Sequence, residues 1–283
     1  FRERVSRSPL RGQSPPGAIG PNPPNGAVIW YYLDDAEETV SLTFRDDDGN
    51  EVASFSSVAD PDRIGTPRNP PPDPIAAEAG LNQFVWDLRF PGPLQIPGAI
   101  YRRYDPVGPI APPGRYEVEM RVGNFRATQK FEVLADPRLD TTPAEFDEQH
   151  DFLLGVRDAI TSTHEKVFEI RGLRERLEVR LTEDGLSNRE RRDGERIVQQ
   201  LLIIEEKLIQ FRAKATQDLI NYPVRLNDKL STLFTLVETS DSPPAAQDYE
   251  LFNELQVRIQ DVNEELDELV EETNWDRLGM EVN

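Results

Sequence analysis

Apolar and polar residues alternate with period two through much of the stretch from Gly80 to Val133. Phe84, Trp86 and Leu88 alternate with Val85, Asp87 and Arg89, and Tyr116, Val118, Met120 and Val122 alternate with Arg115, Glu117, Glu119 and Arg121. This spacing places one set of side chains on a buried sheet face and the other in water. Gly123-Asn124 separates the second run from Phe125, Ala127, Gln129, Phe131 and Val133, which predicts a two-residue hairpin turn. Val40, Leu42 and Phe44 alternate in the same way, and after Asp46-Asp47-Asp48-Gly49-Asn50 the run EVASFSS predicts a second hairpin. Ala27 to Leu33 (AVIWYYL) differs from these. Ile29, Tyr31 and Leu33 fall on one face and Val28, Trp30 and Tyr32 on the other, so this strand is expected to be covered on both sides, the second by another domain or a partner.

The period changes after Asp136-Pro137. Thr142-Pro143-Ala144-Glu145 combines an N-cap, a proline at the first helical position and a capping glutamate. Phe146, Leu153, Ile160 and Val167 then recur every seven residues, predicting a helix to about Thr182. Ser187 and Glu190 cap a second helix, whose stripe Ile197, Leu201, Ile204, Leu208, Phe211 and Ala215 runs on until Pro223 breaks it. Leu226, Leu230, Leu233 and Val237 mark a shorter piece, and Phe252 to Leu269 a final long helix. The expected fold is therefore mixed and two-domain: an N-terminal all-β immunoglobulin-like sandwich over residues 27–137, then an all-α antiparallel three-helix bundle with an extra short helix over residues 141–283. Residues 1–26 are basic and rich in Pro, Gly and Asn, and read as an extended linker.

Two irregular Pro-rich loops remain, Val58 to Ala79 and Arg89 to Pro113. Loops of this length are functional or wrapped against a neighbour. The second contains Tyr101-Arg102-Arg103-Tyr104, and Tyr and Arg dominate binding hot spots, so these four residues together with Trp30 and Tyr32 are the candidate partner-binding set. The alternative for the tetrad is a loop packed on its own domain.

Charge narrows the choice of partner. The net charge is −20, with most of the excess acid on residues 141–283. Such a surface repels nucleic acid and anionic lipid, which makes both poor partners. The absence of cysteine excludes a disulfide framework and thiolate metal sites. No run approaches the length of a membrane span. The chain begins at Phe1 without a signal-like segment, which suggests a piece of something longer.

Candidate chemistry is weak. Both histidines, His150 and His164, lie on the first predicted long helix. Asp147-x-x-His150 is half of a carboxylate-bridged di-iron pattern, but a matching histidine on another helix is missing. No G-x-S-x-G elbow occurs, and Gly12, Gly17 and Gly20 lie in the Pro-rich linker, away from any strand-to-helix turn. The Asp46–Asp48 run lacks the acid a calcium loop would need at Phe44. Glu264-Glu265 and Glu271-Glu272 read as a solvated helix face. Neither an active site nor a cofactor or metal is expected.

Phe84-x-Trp86-Asp87 followed by Pro112-Pro113-Gly114-x-Tyr116 is similar to the C-terminal immunoglobulin-like module typified by the flagellar hook-capping protein family. The longer series PPNGAVIWYYL, GLNQFVWDLR, APPGRYEVEMRV, DPR, YPVRLNDKLSTLF and DYELFNEL resembles the C-terminal region of bacterial exported sortilin-like BNR-repeat β-propeller proteins, often labelled glycosyl hydrolases. The resemblance implies upstream propeller domains, an extracytoplasmic location and no catalytic residue in this stretch. From residues and resemblance together, the expected function is a non-enzymatic docking or structural subunit of a larger extracytoplasmic complex, such as a membrane-bound respiratory or photosynthetic one. The alternatives are an accessory module of a propeller glycosyl hydrolase or peptide-binding protein, and carbohydrate binding by Trp30, Tyr31 and Tyr32.

Overall fold

The computed structural model describes residues 24–36, 39–61, 65 and 70–281. Most of the predicted linker, residues 1–23, lies outside them. The fold is mixed, with two small antiparallel sheets followed by a helical region.

Strands β1 (Ala27–Leu33) and β4 (Gly80–Trp86) pair with each other, in a register that sets Tyr32 opposite Leu81 and Trp30 opposite Gln83. Strands β2 (Val40–Asp46), β3 (Glu51–Ser56), β5 (Gly114–Val122) and β6 (Phe125–Val133) form the other sheet, in the order β3-β2-β5-β6. Both expected hairpins are present. Val122 pairs with Phe125 across Gly123-Asn124, where Gly123 takes the left-handed φ such a turn requires. In the β2–β3 turn the Asp46 carboxylate accepts from Asn50 N (2.7 Å) and Asn50 Nδ2 (3.0 Å), so this acid serves to close the turn.

The two sheets share one apolar core made by the inward residues of the period-two pattern: Tyr31 and Leu33 from β1, Leu42 and Phe44 from β2, Trp86 from β4, Tyr116 and Val118 from β5. Trp86 is fully buried and stacks on Phe44 at 4.5 Å between ring centroids, with Tyr116 edge-on at 5.8 Å. Its indole N–H donates to Arg89 O (3.1 Å), and Tyr116 donates to Pro112 O (2.8 Å), so both large aromatics have their polar atoms satisfied. The β6 face departs from expectation. Phe125 is 59% exposed, and only Phe131 and Val133 of its alternating set reach the core; β6 is the edge strand of its sheet, and its first half is exposed on both faces.

Helix α1 (Pro143–Thr182) starts and ends where the sequence places it, and its capping box is formed: Thr142 and Glu145 bond reciprocally. Helix α2 (Asn188–Leu208) has the expected Ser187–Glu190 box. It ends at Leu208 rather than continuing to Pro223. Gln210 is buried just beyond, donates to Pro223 O (3.2 Å) and accepts from Arg212 N (3.0 Å), while Arg212 and Arg225 both bind Glu206. These bonds hold the chain in a closed loop containing a short 3-10 turn, Thr216–Ile220, and Phe211 packs on the core from outside a helix. Helices α3 (Leu226–Glu238) and α4 (Ala246–Glu272) follow. A short α5 (Trp275–Leu278), which the period does not foretell, lays Trp275 and Leu278 on the same core. Among the described residues no helix is long and apolar enough to cross a membrane.

The middle of the loop 89–113 packs on the helical region, while Phe90, Ile110 and Ala111 near its ends pack on the sheet core. Ile96, Ala99 and Tyr101 are members of the helical core, alongside Ile160 and Val167 of α1 and Leu230 and Leu233 of α3. The β region thus extends an arm into the helices.

Candidate partner-binding surfaces

The outer face of β1 is the first surface. Tyr31 and Leu33 point into the core, but Val28 is 40% exposed, Trp30 58% and Tyr32 65%, with Leu81 of β4 beside them at 68%. Coverage on both sides was the expectation, and within this chain the described residues cover one side only. The result is a contiguous outward strip of two aromatic and two aliphatic side chains on a two-stranded sheet. Exposed apolar strips of this kind mark interaction sites.

The arm is the second surface, and its geometry revises the reading of the Tyr-Arg-Arg-Tyr tetrad. Tyr101 is 1% exposed, so it forms part of the chain's own core and is unavailable to a partner. Its hydroxyl lies 3.1 Å from His164 Nε2, and Asn227 Nδ2 donates to it at 3.4 Å. Leu94 O, an obligate acceptor, bonds His164 Nδ1, so the proton is on Nδ1 and Nε2 accepts from Tyr101. Burial of His164, helped by the nearby Arg171 charge and opposed by the Leu94 bond, lowers its pKa from 6.5 to about 4. Burial likewise raises the Tyr101 hydroxyl above its usual range. His150, the other histidine, packs on Phe90 at 4.5 Å between ring centroids. Both histidines therefore serve the joint between arm and helix α1.

The remaining tetrad residues lie at the surface. Arg102 and Arg103 are exposed and Tyr104 is half-buried. Arg102 N donates to Asp228 Oδ2 (2.9 Å), and Ser231 Oγ donates to Tyr104 O (2.8 Å), which pins the tetrad's backbone to α3 at both ends. Closer to the sheets, Arg89 makes a two-pronged ion pair with the buried Glu238 (2.9 and 3.0 Å) and donates to Gly108 O (2.6 Å), while Ile110 N donates to Glu238 Oε1 (3.2 Å). Leu94 N donates to Thr161 Oγ1 (3.2 Å).

No family model, no curated protein and no solved structure matches this chain.

The joint was missed from sequence, although part of it left a trace. His164 lies four residues after Ile160 and three before Val167, on the apolar stripe of α1, where a polar residue must find a buried partner. Glu205 stands in the same relation to Leu201 on α2, and it is buried between Arg171 and Arg174 (2.7 and 2.5 Å). The identity of His164's partner, in a Pro-rich loop without periodicity, leaves no such trace. Among the described residues there is also no cluster of three or more His, Asp or Glu side chains arranged to hold a metal ion.

Proposed function

We propose that the chain is a non-catalytic docking and structural module, held by its β1–β4 face against a partner protein in a larger assembly. The observation that carries this reading is the outward strip Val28, Trp30, Tyr32 and Leu81, whose residues are all at least 40% exposed. Trp and Tyr supply large contact area with little side-chain entropy to lose, which makes them effective anchors. The strip stands on strands whose opposite face is locked into the Trp86 core, so the anchors are pre-positioned. A sandwich of the two sheets and a packed bundle of the helices would make the whole a rigid spacer. The extracytoplasmic placement within this proposal rests on the sequence resemblance alone, as does attachment to upstream propeller domains.

The test is affinity capture from native extract with the wild-type chain and with Trp30→Ser/Tyr32→Ser. Both residues are more than half exposed, so the double variant should keep its melting temperature. A partner that is enriched by wild type and lost by about tenfold or more on the variant supports the reading. A variant that captures the same proteins equally well overturns it.

A further inference from the structure

A cleft of about 380 Å³ opens where the arm meets α3 and α4. Leu233 and Leu255 form its inner wall with Val224, and Leu236 and Leu251, at 53% and 42% exposure, form its lips. Arg102, Arg103 and Lys229 complete the lining, next to Asp228 and Thr232. Asp228 is occupied by the Arg102 backbone, and this bond, with the one from Ser231 to Tyr104, fixes the arm's edge of the cleft in place. Arg102 and Lys229 make no ion pair among the described residues, in a chain whose net charge is −20.

We propose that this cleft binds a single-chain anionic amphiphile, an unbranched apolar tail carrying a carboxylate head. Its volume falls at the low end of the roughly 300–1,000 Å³ of small-molecule sites. The leucine side chains form one compact pocket. A partner helix would instead need anchor sites repeated along a groove at helical spacing. The tail packs on the leucines and on the aliphatic stems of the basic residues, and the head lies with the guanidinium and ammonium groups at the arm's edge. The charge balance makes the proposal discriminating. The molecule as a whole attracts cations and the Asp228 carboxylate shares the lining, so a preference for an anionic head has to arise locally, from Arg102 and Lys229.

The experiment is calorimetric titration of the whole chain with dodecanoate, below its micelle concentration, and with dodecyltrimethylammonium as the matched cation. Dodecanoate is expected to bind at one site, at least about tenfold more tightly than the cation. Leu236→Asp/Leu251→Asp, which changes only exposed lip residues, should weaken dodecanoate by about tenfold or more without lowering the melting temperature. Arg102→Glu/Lys229→Glu should abolish or reverse the preference for the anion. The proposal is overturned by any of three results: no dodecanoate binding up to about 1 mM, equal or tighter binding of the cation, or lip variants that bind as wild type does. It is equally overturned if an acidic amphipathic peptide competes at the lips while dodecanoate does not. The outcome is independent of the strip on β1, since the two surfaces share no residue.

Discussion

His164 shows how one side chain can tie a loop to a helix and make stability depend on pH. It is fully buried, neutral, and bonded through both ring nitrogens to the arm. Arg171 is the nearby charge and adds to the penalty on protonating it. The unfolded chain takes up a proton near pH 6.5 and the folded one only near about 4, so stability is fully present above 6.5 and is lost as pH falls toward 4. Between pH 7 and pH 5 the loss amounts to about 2 kcal/mol. The carboxylates with lowered values, Glu119, Asp136, Glu145 and Glu190, start from 4.5 or less in the unfolded chain and so act mainly below pH 5, under the span over which this loss is counted. Urea midpoints measured across the window should therefore decline for wild type, and His164→Gln should flatten that decline even if it lowers stability throughout. An unchanged slope in the variant would mean that His164 is not the group that titrates.

Elements were legible in the sequence where a local signal repeats or a cap closes. The hairpins announced themselves because each strand alternates with period two on both sides of a short turn, and α1 and α2 because Thr142–Glu145 and Ser187–Glu190 are complete capping boxes. The end of α2 was illegible because its apolar stripe continues through Phe211 even though the backbone has left the helix. Phe211 packs on the core from coil, and the decision belongs to Gln210 and Pro223, thirteen residues apart. The arm was illegible for a related reason. Its prolines erase periodicity, so nothing local distinguishes the buried Tyr101 from the exposed Arg102 and Arg103. The exposed strip on β1 was half legible: its apolar composition was plain, its lack of cover was not. At this scale the capping box gives a direct check. Thr142→Ala removes the acceptor for Glu145 N and should lower global stability by about 1 kcal/mol, read as a shift in the urea midpoint at unchanged slope. A shift within error would show that the start of α1 is held by its packing alone.

Across the whole molecule, the arm makes the β region and the helices one mechanical unit. Its apolar residues complete the helical core, while its two ends remain anchored beside Trp86 and Tyr116 in the sheet core. Arg89, half-buried, and the buried Glu238 close the seam between them with a two-pronged pair. Removing one member of such a pair leaves the other without its counter-charge, at about 3 kcal/mol. Arg89→Met is therefore expected to destabilise strongly, and Arg89→Met/Glu238→Leu to recover much of the loss, because no charge is then left stranded. The wild-type chain should melt in one transition seen alike by far-ultraviolet and near-ultraviolet dichroism. In Arg89→Met the same two probes should separate, because the far-ultraviolet signal is dominated by the helices while the near-ultraviolet signal carries the Trp86 core as well as Trp275 of the helical core. Coincident transitions in that variant would locate the coupling in the apolar part of the arm, at Ile96 and Tyr101, rather than in the ion pair.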